Sequence, residues 1–146
     1  MQPVLIALRD AVAERINALG AFLGATARGA VLPTIEPGDV PSDHANCEVM
    51  VEKSATEQFT ASDAGAAVIV QVMVQKRVTN PDEEVPALVT ACESVWDDLL
   101  LNEFSLADQG VAALATRVDY DPVYDKLELH ENRIFAALAT ITFEVQ

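Results

Sequence analysis

Residues 66–78 read AAVIVQVMVQKRV, the most regular alternation in the chain. Every second residue from Val68 to Val74 is a valine, and isoleucine, glutamine and methionine occupy the positions between them. Side chains alternate between the two faces of a strand, and β-branched residues favour extended backbone. The stretch therefore predicts a long strand with one strongly apolar face, around which the rest of a sheet is expected to form.

Three further segments have an alternating pattern and are predicted to be strands. The segment at 47–53 is expected to form an antiparallel hairpin with the long strand, joined to it by a polar loop at 54–65, which is too long for a tight two-residue turn. The segments at 111–119 and 132–145 alternate in the same way. Together these segments predict a sheet of four strands.

Two segments have the periodicity of amphipathic helices. Apolar residues recur every three or four positions in 3–19, and a wider apolar stripe runs through 80–101. Asn80 and Pro81 suit the N-cap and the first helical position, and an acidic triplet follows where the helix dipole favours negative charge. We therefore predict a single α+β domain over 1–146, with a four-stranded, mainly antiparallel sheet, helices packed on one face and the order α-β-β-α-β-β.

Composition and charge limit the classes of function. The chain has 9 Lys and Arg against 23 Asp and Glu, a formal net charge of −14. A surface with this much negative charge repels phosphate groups. Neither specific nucleic-acid binding nor attachment to an anionic membrane is therefore expected. The sequence has no apolar run of about 18 residues and no pattern typical of a signal or transit peptide. We expect a protein that folds in a reducing cytoplasm, where Cys47 and Cys92 act as small buried apolar residues.

The residues that could bind a metal do not form a convincing set. His44 lies close to Cys47 in sequence, but a zinc site needs three or four converging ligands. Asp119, Asp121 and Asp125 could offer oxygen ligands to a divalent cation, although their spacing lacks the pattern of a helix-loop-helix calcium site. We favour a structured turn there, with no metal.

The sequence also lacks the motifs of the common enzyme classes. No serine or cysteine occurs in a recognisable nucleophile motif, and no glycine-rich phosphate loop is present. Neither catalysis nor a cofactor is expected. A function in assembly with other protein subunits is favoured instead.

Two long loops are the segments best suited to contact a neighbouring subunit. The segment at 20–46 is rich in glycine and proline, and a connection of this length in a small domain is often functional. The loop at 54–65 is the second. Acidic residues of these loops, together with arginines that could pair with carboxylates across an interface, are the predicted interface or lumen residues: Glu36, Asp39, Glu57, Asp63, Arg77 and Arg117.

The second face of the predicted sheet is also rather apolar. Its larger apolar residues are Ile69, Met73, Ile134 and Leu138. If helices cover only the other face, a monomer would expose these side chains to water. Either a neighbouring subunit or another part of the same chain is expected to cover them.

In the order of its elements, the chain resembles a group of small virion proteins. The relevant segments are the strand CEVMVE at 47–52, the valine-rich strand at 68–74, the helix start NPDE at 80–83, the motif DYD at 119–121 and the closing strand at 134–143. The pattern is similar to that of the tail-terminator and tail-completion proteins of tailed bacteriophages, also called neck or head-tail joining proteins. The similarity extends over nearly the whole chain. It consists of the order and pattern of the elements and includes no diagnostic motif.

The resemblance implies a structural virion protein that assembles in the host cytoplasm. Such a protein forms a homo-oligomeric ring, usually hexameric, at the head-proximal end of the tail. The ring ends growth of the tail tube, contacts the tail tube protein and the head connector, and lets DNA pass through its lumen without specific binding. An acidic lumen suits that passage because it repels phosphates. The alternative is a small α+β ligand-binding or regulatory domain, which would need a pocket between helices and sheet.

Overall fold

The fold was analysed in a computed structural model of the chain. The structure describes residues 4–20, 22, 27–30, 40–53, 66–106, 110–120 and 123–145. The elements in these ranges are, in chain order, α1 (Val4–Leu19), β1 (Arg28–Gly29), β2 (Asn46–Lys53), β3 (Ala66–Arg77), α2 (Pro81–Leu101), β4 (Glu103–Leu106), β5 (Val111–Asp119), α3 (Lys126–Asn132) and β6 (Ile134–Val145). The α+β character is thus as expected, but the number of elements is larger.

The strands form one six-stranded mixed sheet in the order β1-β2-β3-β6-β5-β4. The prediction of a four-stranded, mainly antiparallel sheet in the order α-β-β-α-β-β is therefore wrong. Two short strands add an edge each: β1 pairs in parallel with β2, and β4 pairs antiparallel with β5. The additional helix, α3, has seven residues. Strands of two and four residues and a helix of two turns are too short to leave a periodic signal in the sequence.

The long strand β3 lies in the middle of the sheet. It pairs antiparallel with β6 along its whole length, from Ala66 opposite Val145 to Arg77 opposite Ile134. On its other side it pairs antiparallel with β2, which confirms the predicted hairpin. The valine-rich stretch is therefore an interior strand with hydrogen-bonded neighbours on both sides.

The main core lies between one face of the sheet and the helices α1 and α2. The four alternate valines of β3 are fully buried, and they pack with buried residues of both helices. The apolar stripe predicted for α2 is buried at Val85, Leu88, Cys92, Val95, Trp96 and Leu99. Among the helices in the described ranges, none is long and apolar enough to cross a membrane.

Both cysteines belong to this core. Cys47 on β2 and Cys92 on α2 are free and buried. Burial raises the pKa of each thiol to about 12. The prediction that the two residues act as small buried apolar side chains is confirmed.

The second face of the sheet is only partly exposed. Ile134 is buried there and Met73 is half-buried, whereas Leu138 is exposed. Met50 on β2 is also buried, while Leu114 on β5 is exposed. Of the larger apolar residues of this face, Met50 and Ile134 are thus buried, while Leu114 and Leu138 are single exposed leucines; Leu114 lies opposite Glu144, which is six residues along β6 from Leu138.

Candidate assembly surfaces and a cavity beside α2

The predicted interface residues do not form one cluster in the described structure. Arg77 lies opposite Ile134 and Arg117 lies opposite Thr142 on the same strand, β6. Eight residues along a strand span about 27 Å, so the two arginines are far apart. The other predicted interface residues lie outside the described ranges: Glu36, Asp39, Glu57 and Asp63.

Arg77 connects three parts of the chain at the end of β3. Its backbone N–H donates to the carbonyl of Pro41 at 2.8 Å, and its Nη1 lies 3.4 Å from the carbonyl oxygen of Asn132 at the end of α3. The side chain is half-buried. Arg77 therefore has an internal structural role, which does not favour its assignment to a subunit interface.

Arg117 is placed quite differently, on the exposed surface of β5. It follows an irregularity in the pairing with β6, where the register shifts between Ala115 and Arg117. Its Nε lies 2.9 Å from Oδ2 of Asp119, and both side chains are more than half exposed. An ion pair so exposed contributes little to stability. The guanidinium is consequently available to carboxylates of another molecule.

The described residues among those considered as metal ligands do not converge, and Asp121 lies outside the described ranges. The Nδ1 of His44 lies 2.8 Å from Oδ1 of Asp43, whereas Cys47 is buried in the core. Asp119 pairs with an arginine, and Asp125 caps α3 by accepting a 3.0 Å hydrogen bond from a backbone N–H. Within the described part of the chain, no three potential ligands converge. The structured turn favoured at the start of α3 is consistent with this cap.

A cavity of about 160 Å³ opens beside the N-terminal half of α2. Its lining includes the buried residues Phe22, Ala45 and Leu88 and the more exposed Ala87 and Ala91. The remaining lining residues are Lys76 and Glu84. The cavity is thus mostly apolar, with one ion pair in its wall.

The ion pair also determines where α2 begins. Lys76 is only 6% exposed, and its Nζ donates to Oε1 of Glu84 at 2.7 Å and to the Arg77 carbonyl at 3.4 Å. The other carboxylate oxygen, Oε2, accepts from the backbone N–H groups of Thr79 at 2.8 Å and Asn80 at 2.7 Å. These hydrogen bonds, that from Lys76 foremost, lower the pKa of Glu84 to about 2.

Glu84 therefore fixes the two residues that precede α2, and it does not replace the side-chain cap predicted at Asn80. Asn80 occupies the N-cap position as predicted, but its side chain makes no capping hydrogen bond. Sequence reasoning identified neither the ion pair nor the cavity. One signal was present, because Lys76 continues the spacing of the core-facing valines from Val68 to Val74. A lysine in that register needs a buried partner.

The exposed side of α2 is acidic, and the C-terminal end of the helix carries two exposed leucines. The helix has six carboxylates and no basic residue: Asp82, Glu83, Glu84, Glu93, Asp97 and Asp98. Arg15 of α1 binds Asp98 with two hydrogen bonds of 2.8 Å and lowers the pKa of that carboxyl group. At the C-terminal end, Leu100 is 36% and Leu101 84% exposed.

The sequence matches no known protein family and has no significant match among curated proteins. A functional interpretation therefore depends on the residues and surfaces described above, together with the pattern noted in the sequence.

Proposed function

We propose that the protein is a structural subunit of a bacteriophage tail neck. Copies of the chain form a ring at the head-proximal end of the tail, and the ring is hexameric, as is usual for tail-neck proteins. The ring ends growth of the tail tube and joins the tail to the head connector, and DNA passes through its lumen. The protein would then assemble in the host cytoplasm and end in the virion.

The observation that carries the proposal is the exposure of large apolar side chains on two separate surfaces. Leu100 and Leu101 are exposed at the C-terminal end of α2, and Leu114 and Leu138 on the second face of the sheet. Each subunit of a ring needs two different surfaces, because the contact between neighbours is heterologous. Contacts of this kind would cover apolar side chains that a separate subunit leaves in water.

The charge of the chain supports the same proposal. A net charge of −14 on each subunit would make a ring strongly negative. A negative lumen repels the phosphates of a passing duplex and prevents it from adhering. The acidic surface of α2 is one candidate for that lumen, since its exposed carboxylates include Asp82, Glu83, Glu93 and Asp97.

Electron microscopy combined with light scattering tests the proposal. Purified protein is examined alone and after mixing with polymerised tail tubes from the virion in which the chain occurs. We expect rings, and tubes capped at one end. A protein that stays monomeric and leaves both tube ends bare would contradict the proposal.

A small ligand-binding or regulatory domain is the second candidate function. The cavity beside α2 favours it, because it provides an apolar site with an ion pair in its wall. A ligand that binds only the folded state raises the melting temperature. A thermal-shift screen of small apolar acids would support this candidate if a hit stabilises the wild type and fails to stabilise Ala91→Phe, in which the cavity is filled.

A further inference from the structure

We propose that α3 of one copy packs antiparallel on the acidic side of α2 of its neighbour. The inference rests on the proposed ring, and it specifies which surfaces of two copies meet. The contact places Leu127 of α3 against Leu101 of α2, with basic residues of α3 beside carboxylates of α2. Leu114 and Leu138 lie outside this contact and are left for the other partners of the ring.

Two basic residues of α3 have no partner within the described part of the chain. Lys126 begins the helix and Arg133 is its C-cap, and both exposed side chains form no ion pair or hydrogen bond there. The other basic side chains that the structure describes bind a carboxylate or a carbonyl group: Arg9, Arg15, Arg28, Lys76, Arg77 and Arg117. Two cations without a partner, in a chain with 23 Asp and Glu, are suited to carboxylates of another molecule.

Both residues also occupy positions that the helix itself disfavours. Lys126 lies in the first turn, where the helix dipole disfavours a positive charge. Arg133 has a φ of 55°, and it is the one non-glycine residue with positive φ in the described ranges. Glycine or asparagine is usual in that conformation at the end of a helix. Departures from local preference are expected at functional positions, which supports a use of these side chains outside the monomer.

The basic residues lie on one side of α3 together with an exposed leucine. Positions i, i+4 and i+7 share a side of a helix, so Lys126, His130 and Arg133 form a stripe, and all three are exposed. Leu127 lies next to this stripe and is 65% exposed. Glu131, one turn after Leu127, borders the same side. The stripe is therefore mainly basic, with one large apolar side chain.

The acidic side of α2 has the complementary pattern. Glu93 and Asp97 are one turn apart, are exposed, and form no ion pair or hydrogen bond within the described ranges. Leu101 follows Asp97 by one turn and is 84% exposed. The three residues line a shallow groove beside the end of α1, where Leu19 also lies. Because two like charges at this spacing repel each other, a cation bound between them interacts favourably with both.

An antiparallel alignment brings the matching groups opposite each other. On α2, Glu93 and Asp97 lie about 12 Å and about 6 Å before Leu101, and on α3, Arg133 lies about 9 Å after Leu127. With the two leucines opposite each other, Arg133 therefore lies between the two carboxylates. A parallel alignment would place Arg133 beyond the end of α2.

The same alignment gives Lys126 a partner and leaves the rest of α2 free. Lys126 faces the last carbonyl groups of α2, which carry partial negative charge. Exposed ion pairs add little affinity but select the partner and its register, while the covered leucines supply the apolar part of the contact. Glu93 and Asp97 then belong to the contact between copies, and Asp82 and Glu83 remain as candidates for the lumen.

One chain cannot form this contact by itself. The Val78 N–H donates to the Arg133 carbonyl at 2.8 Å, so α3 ends beside the start of α2. Leu101 is at the other end of α2, twenty residues after Pro81, which corresponds to about 30 Å. The two surfaces are therefore far apart on each copy, and the contact is heterologous, as a ring requires.

Charge reversal on α2 tests the contact. Glu93→Lys/Asp97→Lys is expected to raise the protein concentration needed for assembly at least about tenfold, measured by sedimentation velocity, because the reversed side repels α3. The two substitutions make the net charge of −14 four units less negative, so general repulsion alone predicts stronger assembly. Asp82→Lys/Glu83→Lys, with the same change in charge at the other end of α2, is the matched control and is expected to assemble at least as well as the wild type.

A mixing experiment tests the pairing of the two surfaces. Lys126→Glu/Arg133→Glu is also expected to lose assembly. An equimolar mixture with Glu93→Lys/Asp97→Lys is expected to assemble again, since alternating copies then present opposite charges at each contact. Thermal denaturation checks that both variants fold. If folded Glu93→Lys/Asp97→Lys assembles at the wild-type level, or the mixture of folded variants stays unassembled, the inference is overturned.

Disulfide cross-linking measures the register independently. The thiols of Leu101→Cys/Leu127→Cys lie at opposite ends of α2, and a disulfide needs Cα atoms within about 7 Å, so only different copies can be joined. Under mild oxidation we expect a ladder of oligomers that a reductant removes, whereas Leu101→Cys/Leu138→Cys, with another exposed leucine, gives dimers at most. If the wild type forms rings but the ladder is absent, this inference is overturned and the ring proposal stands. If neither rings nor the ladder form, both are overturned.

Discussion

Lys76 and Glu48 are the two charged residues buried in the described part of the chain, one on each face of the sheet. Each has partners of its own: Lys76 binds Glu84, and Glu48 accepts from Asn46 at 3.0 Å and lies 3.5 Å from Arg28. A buried charge without its partner is strongly destabilising. The two residues therefore fix local structure, Lys76 at the start of α2 and Glu48 at β1.

The ion pair of Glu84 predicts a specific dependence on pH. The pKa of Glu84 is about 2 in the folded state, against an ordinary value of 4.5. Its contribution is fully present above pH 4.5 and is lost as the pH falls towards 2, because protonation then favours the unfolded state. At pH 7 we expect Glu84→Gln to lower the free energy of unfolding by about 1–2 kcal/mol, less than for a fully buried pair, because Glu84 is 27% exposed and the amide oxygen of glutamine still accepts a hydrogen bond from Lys76.

Chemical denaturation of wild type and variant between pH 2 and pH 7 measures this effect. Glu84→Gln is expected to lose less stability than the wild type between pH 4.5 and 2. Glu83→Gln is the matched control, because the side chain of Glu83 is exposed and makes no hydrogen bond among the described residues. Equal slopes for the wild type and Glu84→Gln would contradict the prediction.

A second prediction concerns the packing of β6. Phe143 is fully buried and meets Phe104 edge to face, with ring centroids 5.7 Å apart. Phe143→Ala is expected to reduce the free energy of unfolding by about 3–5 kcal/mol, since it removes apolar contacts and leaves a cavity. Urea denaturation measures the loss. Thr142→Ala, on the opposite face of the strand, is the control, and a loss for Phe143→Ala below about 1 kcal/mol would refute the assigned core.

At the scale of the elements, the short strand β1 is held in place by hydrogen bonds to other parts of the chain. It has two residues, and the Ala30 N–H that follows donates to the Val49 carbonyl at 2.8 Å. The side chain of Asn17 on α1 binds both the N–H and the carbonyl of Ala27, just before the strand. The Asn17 side chain thus holds this edge of the sheet against α1.

Removal of the side-chain amide of Asn17 should therefore destabilise β1 and leave the centre of the sheet unchanged. In Asn17→Ala we expect the Ala30 amide to exchange with solvent about tenfold faster, since two hydrogen bonds are lost. The amide of Val72 in the centre of the sheet should keep its protection. Hydrogen exchange followed by NMR measures both, with Ala18→Ser at an exposed position as the control. Unchanged exchange at Ala30 would show that Asn17 does not hold the strand.

The long elements were predictable from the sequence because each has many residues on one period. The strand predicted at 66–78 ends within one residue of β3, and both predicted helices exist with nearly their expected bounds. The short elements were not predictable, since β1 and β4 depend on pairing with distant strands. The cavity forms where Phe22, Ala45 and α2 lie close together in the fold, and no local sequence pattern indicates that they do.

For the whole molecule, the dominant property is its charge. Subunits of net charge −14 repel each other, so apolar contacts must overcome that repulsion in any ring. Salt screens it, with a Debye length of about 10 Å at 0.1 M and about 3 Å at 1 M. We expect a larger oligomeric fraction at 500 mM NaCl than at 50 mM, measured by sedimentation velocity. Dissociation on addition of salt would instead indicate that ion pairs hold the subunits together.

The edges of the sheet have a consequence for crowded conditions. A long unpaired strand invites backbone pairing with another chain, which leads to irreversible aggregation. Here the outer strands β1 and β4 have two and four residues, and the long strands lie between them. Within the described residues, β1 pairs with two residues of β2 and β4 with four residues of β5, so part of the outer edge of each longer strand has no strand partner there. At high protein concentration these stretches are where a second copy could add a strand, so backbone pairing between copies would compete with recognition by side chains.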